Sequence, residues 1–205
     1  IAKAFGQAGN CINNVNCPQY SAWSNQKRAV VCLVSGGNEF CSGSLVNNTR
    51  NDGTPYILTA NHCGTADGTW VFRFNWEAPG CPNPSSNPSS QSISGGTPGA
   101  NRAGSDFDLC LMSSVPASNF NVFYAGWDHS GTPATNVTGI HHPSGDIKKL
   151  SQANNAVTAA TYNGAQTWHI GQWTDGVTEP GSSGSPLFDQ NKRIIGQLYG
   201  GSSAC

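Results

Sequence analysis

Charge is what this chain has least of. Lys, Arg, Asp and Glu together make 10% of 205 residues and the net charge is −1, where a soluble domain ordinarily carries about a quarter. With so little charge of either sign there is no electrostatic footprint for nucleic acid or an anionic bilayer, so a polyanion-binding role is disfavoured. Long apolar runs are lacking too. None approaches the roughly 18 consecutive apolar residues of a bilayer-crossing helix, and no amphipathic pattern lasts beyond about two helical turns. Cysteine pairs at metal-ligand spacing such as CxxC are absent. The His141-His142 pair, taken with His129 and His169, has no carboxylate or cysteine beside it at ligand spacing. No metal and no other cofactor is expected.

What is present is 25 glycines, 12 prolines and eight cysteines. An even cysteine count without metal spacing reads as disulfides, hence an oxidising compartment and a secreted, extracellular protein. The chain opens at Ile1 with neither an initiator Met nor a signal peptide, which suggests a mature form whose leader and pro-segment are gone. Short β-branched or aromatic runs bounded by Gly, Asn and Pro predict strands at 30–34, 43–46, 56–59, 70–76 and 107–112, then at 136–140, 148–150, 156–161, 167–173, 186–188 and 194–199. Between the fifth run and those before it, residues 79–101 are poor in apolar side chains and predict a long surface loop or hairpin. The reading is all-β: an N-terminal arm over 1–19, a first barrel over 20–115 and a second over 116–205.

The stretch Glu179-Pro180-Gly181-Ser182-Ser183-Gly184-Ser185-Pro186 predicts a tight turn that presents a hydroxyl. Gly181 and Gly184 allow a sharp backbone turn and close approach of a substrate carbonyl. Ser183 is the candidate nucleophile, and the amides of Gly181 and Ser183 are the candidate oxyanion hole. A serine hydroxyl is a weak nucleophile at neutral pH and needs a base. The run Ile57-Leu58-Thr59-Ala60-Asn61-His62-Cys63-Gly64 ends in one, His62. Gly104-Ser105-Asp106-Phe107-Asp108 supplies a carboxylate to hold the imidazole: Asp106, with Asp108 a rival that an extended strand would put on the same face. The order His, Asp, Ser is that of the chymotrypsin class.

Cys41-Ser42-Gly43-Ser44-Leu45-Val46-Asn47-Asn48, the run to His62-Cys63-Gly64, Phe123-Tyr124-Ala125-Gly126-Trp127-Asp128, Ile140-His141-His142-Pro143 and Val177-Thr178-Glu179-Pro180 through Pro186 together resemble the bacterial secreted lysyl endopeptidases. The resemblance runs from near Cys11 to Cys205. It implies a chymotrypsin/trypsin-like pair of antiparallel six-stranded β-barrels, polypeptide substrates cleaved after lysine, and the bridges Cys11–Cys205, Cys17–Cys81 and Cys41–Cys63. Cys32 and Cys110 then remain, in two apolar runs, as a fourth bridge Cys32–Cys110 or as two buried thiols. It also implies a substrate strand at Leu198-Tyr199-Gly200-Gly201, an edge that pairs with an extended peptide.

Two positions and the C-terminal end depart from the pattern. Ser182 stands where many animal proteases of this fold carry an acidic residue that pairs with a new α-amino group, so no such pair with Ile1 is available and the stapled arm is the candidate substitute. Tyr199 stands where the family usually has a histidine stacked on a tryptophan, and no tryptophan lies near 160–162. The family's lysine-reading aspartate, a closing strand and a C-terminal helix lie beyond the cysteine matching Cys205, so a separate C-terminal fragment or a clipped product is expected. The same mechanism with Arg, dual Lys/Arg or another preference before the cut, and a catalytically inactive protease-like binding protein, are the alternative functions.

Overall fold

The computed structural model describes residues 4–203 and Cys205; Ile1 lies outside them. Fourteen strands follow in order: β1 (Asn13–Asn14), β2 (Val30–Ser35), β3 (Asn38–Val46), β4 (Tyr56–Ala60), β5 (Val71–Phe74), β6 (Gln91–Ser94), β7 (Gly96–Arg102), β8 (Phe107–Met112), β9 (Val137–His141), β10 (Lys149–Ala153), β11 (Thr158–Tyr162), β12 (Ala165–His169), β13 (Pro186–Phe188) and β14 (Ile194–Gln197). The helical pieces are all short 3₁₀ turns, the longest Pro18–Trp23.

The first sheet has the order β6-β5-β2-β3-β4-β8-β7 and is antiparallel throughout. Its two outer strands, β6 and β7, are consecutive in the chain and joined by Gly95 alone, at φ +86°. One bent strand therefore belongs to both edges, which curls the sheet into a closed barrel and leaves no open edge. Counted that way the sheet has six strands. Residues 79–101, expected as loop or hairpin, thus contain strands at their C-terminal end, although β6 and β7 pair with β5 and β8 rather than with each other. β3 begins earlier than its apolar residues suggest, because Gly36 and Gly37, both at positive φ, make a two-residue hairpin turn that brings Asn38 opposite Ser35.

The second sheet has the order β1-β10-β9-β13-β14, with β11 and β12 forming a separate hairpin. Part of the N-terminal stretch is built into it: Asn13 and Asn14 pair with Leu150 and Lys149.

Val31, Leu33, Leu45, Ile57, Phe72, Phe74, Cys110 and Met112 fill the first barrel. A second cluster of Val30, Val46, Ile140, Leu150, Phe188 and Ile194, with Tyr20 and Trp23, joins the two sheets. β2 is buried on both faces, which explains its unbroken apolar run.

Disulfides join Cys11 to Cys205, Cys17 to Cys81 and Cys41 to Cys63. The Cys32–Cys110 bridge does not form. Side chains alternate along a strand, so Val31 and Leu33 point into the barrel with Cys110, while Cys32 points out toward Val34, Trp76 and Ile147. The sulfurs lie on opposite faces of the sheet. Burial, with Asp108 nearby, pushes the Cys110 thiol up to about 12.

Candidate active site

His62 sits in a 3₁₀ turn, Asn61–Cys63, at the end of β4. Asp106 sits where the turn Ala103–Ser105 meets β8, in the left-handed region at φ 53°. Its two carboxylate oxygens both serve His62: Oδ1 accepts the backbone N–H at 2.8 Å and Oδ2 lies 2.7 Å from Nδ1. A carboxylate so placed holds Nδ1 as the donor and leaves Nε2 free to accept a proton. The Asp106 carbonyl is held as well, accepting from Asn61 N–H at 2.9 Å and from Gln197 Nε2 at 2.7 Å. Asp106 is buried, whereas the His62 side chain is 41% exposed.

Asp108 does not share this face. The left-handed residue at 106 breaks the strand alternation that would have aligned the two carboxylates, and Asp108 turns inward with Cys110 and Met112. Its Oδ2 is buried without a partner, and burial raises its pKa.

The Gly181–Ser185 turn comes from the other sheet, and the three peptide planes that lead to Ser183 are each fixed through the carbonyl. Pro180 C=O accepts Ser144 N–H at 2.7 Å, Gly181 C=O accepts Ser42 Oγ–H at 2.9 Å, and Ser182 C=O accepts Ser185 N–H at 3.0 Å. In a trans peptide the N–H points opposite to the C=O. The first and third of these bonds therefore set the directions of the Gly181 and Ser183 amides. Gly181, at φ +102°, has no room for a side chain, since a Cβ would meet Gly145 N and His142 O at 3.0 Å.

Ser42 of β3 is the joint between the halves. Its N–H donates to Ser183 C=O at 2.8 Å, its Oγ accepts His142 N–H at 2.9 Å, and its C=O accepts Thr59 Oγ1–H at 2.8 Å. Gly184, at φ +78°, lies so close that a Cβ would stand 2.2 Å from Thr59 Oγ1 and 2.5 Å from Ser42 O. Ser183 is thereby pressed against the sheet that ends in His62, with its carbonyl 3.9 Å from Cys63 Sγ. It is half-buried among neighbours that are fully buried. The Ser183 hydroxyl and His62 do not hydrogen-bond to each other among the described residues. Such bonds are commonly long without substrate.

Leu198 gives its N–H to Ser185 and its C=O to Gly184 N–H, each at 2.9 Å, so its backbone is taken internally. The main-chain groups of Tyr199, Gly200 and Gly201 have no partners among the described residues. That is an open edge for an extended peptide. Tyr199 packs between His62, whose ring is stacked at 6.1 Å, and Tyr162, edge-on at 5.1 Å. Tyr162, at the tip of the β11–β12 hairpin, is the aromatic that covers Tyr199 in place of a tryptophan.

The only group of possible metal ligands among the described residues is Cys41, His62 and Cys63. Its two sulfurs are bonded to each other, so they offer no thiolate to an ion. Three contributors were not visible as site residues in the sequence: Ser42, Ser144 and His141. Ser42 and Ser144 act through one hydroxyl and one amide, contributed by a strand and a turn distant in the chain, a signal that no spacing carries. His141 was legible only as half of a pair to be weighed as a metal ligand.

The fold is chymotrypsin-like, as its solved neighbours establish. Human heparin binding protein superposes with a TM-score of 0.60 at 14% identity, covering 87% of this chain and 82% of that one. The Rv3671c protease of M. tuberculosis H37Rv, in its inactive form, superposes with a TM-score of 0.57 at 13% identity, covering 89% and 82%. At such identities the likeness concerns architecture alone. Sequence goes further: the lysyl endopeptidase C-terminal domain family matches residues 5–205, and this chain belongs to that family. A lysyl endopeptidase of Pseudomonas aeruginosa is 33% identical over 98% of this chain, which spans 47% of that protein's length.

Proposed function

We propose that this chain is an extracellular serine endopeptidase that cleaves polypeptides after lysine. The barrel of residues 20–115 brings His62 and Asp106, and that of residues 116–205 brings Ser183. Ser183 Oγ attacks the scissile carbonyl as His62 Nε2 takes its proton, while Asp106 holds Nδ1–H and stabilises the imidazolium. The oxyanion that forms lies against the Gly181 and Ser183 amides. Collapse breaks the C–N bond, with the proton passing from His62 to the leaving amine. Water, deprotonated by His62, then releases the acyl group and restores Ser183.

The observation that carries this reading is the bidentate grip of Asp106 on His62, beside a turn in which the Pro180 and Ser182 carbonyls are held by Ser144 and Ser185 N–H. The open backbone at Tyr199, Gly200 and Gly201 supports an extended peptide as substrate, and three disulfides support an extracellular location. Lysine as the residue before the cut rests on family membership.

The test is labelling with a fluorophosphonate, which reacts only with an activated serine, followed by cleavage of a peptide library. Labelling at Ser183 and cuts after lysine are expected. Cuts after arginine or other residues would change the specificity alone. Labelling that persists in Ser183→Ala, or no labelling of the native protein, would overturn the mechanism.

A further inference from the structure

His141 is fully buried, as are Ser151 and Ser182 on either side of it. Nδ1 of His141 lies 2.8 Å from Ser182 Oγ, and Nε2 lies 3.0 Å from Ser151 Oγ. The direction of every proton follows from the ends of this chain. Ser151 Oγ–H donates to Val177 C=O at 2.8 Å, so with its single proton committed it can only accept from His141. Nε2 must therefore carry the imidazole proton, and Nδ1 must accept. Ser182 Oγ–H then donates to Nδ1, and its oxygen accepts Glu179 N–H at 3.2 Å. The run is Glu179 N–H to Ser182, Ser182 to His141, His141 to Ser151, and Ser151 to Val177 C=O. Every group is satisfied by a neutral imidazole.

This network closes on both ends of the segment 177–182, which leads into the turn bearing the Gly181 and Ser183 amides. Ser182 occupies the position immediately before the candidate nucleophile, where a charged anchor would otherwise be expected. The N-terminal stretch grips this segment at one residue, Glu179, which accepts Gly9 N–H at 3.1 Å, and is held outside it by Asp146, which accepts Gly6 and Ala8 N–H at 2.8 and 3.1 Å. None of these contacts reaches Ser182.

We propose that His141 is a positioning residue which, through Ser182, holds the oxyanion-binding amides in place by a neutral hydrogen-bond chain. The inference rests on the serine-protease reading above and says how the oxyanion site is kept open without an internal ion pair. Burial holds His141 in the neutral form that this chain requires, pushing it down to about 3, with the nearby Lys149 adding to the effect. Because the amides engage charge that develops in the transition state, loosening them lowers kcat while ground-state binding is kept.

The experiment compares native protein with Ser182→Ala, Ser151→Ala, His141→Asn and the double variant of 141 and 182, all first shown to be folded by near-ultraviolet circular dichroism. Removing one oxyanion donor outright costs about 10²–10³ in kcat. Misaligning the pair should cost about 10- to 100-fold, with KM changed less than about twofold. A peptidyl aldehyde, whose hemiacetal oxygen occupies the oxyanion site, should weaken in parallel with kcat. A non-covalent peptide of the same sequence should bind as before. The double variant should be no worse than the poorer single one.

Folded variants with native kcat, losses confined to KM, or additive effects would each overturn the proposal and leave the protease reading standing. Failure of the native protein to react with fluorophosphonate would overturn both. If His141→Asn does not fold, Ser182→Ala and Ser151→Ala, which keep the imidazole, decide the question by the same aldehyde comparison.

Discussion

Ser42 and Ser44 lie two residues apart on β3, both fully buried, and the same substitution at the two should have opposite results. Ser42 Oγ accepts His142 N–H and donates to Gly181 C=O, each at 2.9 Å. Ser44 Oγ has no partner among the described residues. Ser42→Ala strands a buried donor and a buried acceptor, each costing about 1–3 kcal/mol when left unpaired, so a loss of about 3 kcal/mol is expected. For a chain of this size that lowers the unfolding midpoint by about 6–12 °C. Ser44→Ala deletes a hydroxyl whose unpaired burial itself costs about 1–3 kcal/mol. The midpoint should hold or rise by a few degrees, on the order of 3 °C. The assay is thermal unfolding with disulfides intact, in a Ser183→Ala background that prevents self-digestion. Equal shifts for the two variants, or a larger loss at Ser44, would refute the reasoning that hydrogen bonding at Ser42 joins the two sheets.

Other outcomes follow from the same geometry. Asp106→Asn places an amide donor where Nδ1–H must be received, so kcat should fall by about four orders of magnitude with little change in KM; steady-state kinetics on a lysyl ester reads this. Asp108→Asn should leave kcat unchanged, because His62 is served entirely by Asp106. It should also raise stability at pH 7: a carboxyl raised by burial penalises the fold as pH climbs above its unfolded value, so the gain should vanish below about pH 4. Gly184→Ala drives a Cβ to within 2.2 Å of Thr59 Oγ1. It should cost about 3 kcal/mol or more from overpacking and a left-handed alanine, visible in urea unfolding. Burial depresses both His141, to about 3, and His142. Each therefore binds a proton in the unfolded chain from about pH 6.5 downward while staying neutral when folded. Midpoints measured from pH 7 to pH 4 should decline, and less steeply in His141→Asn.

Much of the fold is written locally. Apolar runs of four to six residues between Gly, Asn and Pro correspond to β2, β4 and β8, since burial of such runs requires strands on both sides. β6 and β7 escaped notice because a strand that closes a barrel edge needs little apolar content. Residues 97–102 are all exposed, and the pairing partners are supplied by β8. The disagreement over Cys32 and Cys110 has the same origin. Two apolar runs look alike in sequence, and only the register of the sheet says which face each sulfur takes.

By itself the sequence determined the chemistry on offer: a serine in a glycine-flanked turn, a histidine at a strand end, an aspartate, an even set of cysteines, and no charge pattern for nucleic acid. These are properties of residue type and near neighbours, where geometry is dictated by one turn or one strand. Only the tertiary structure decided which carboxylate serves His62, because one left-handed residue at Asp106 turns Asp108 away. It alone revealed Ser42, Ser144 and His141, whose side-chain bonds to residues 179–182 span 35 to 139 positions of the chain. Hydrogen bonds across such spans depend on how two sheets pack, and packing is settled by the whole core at once rather than by any stretch within it.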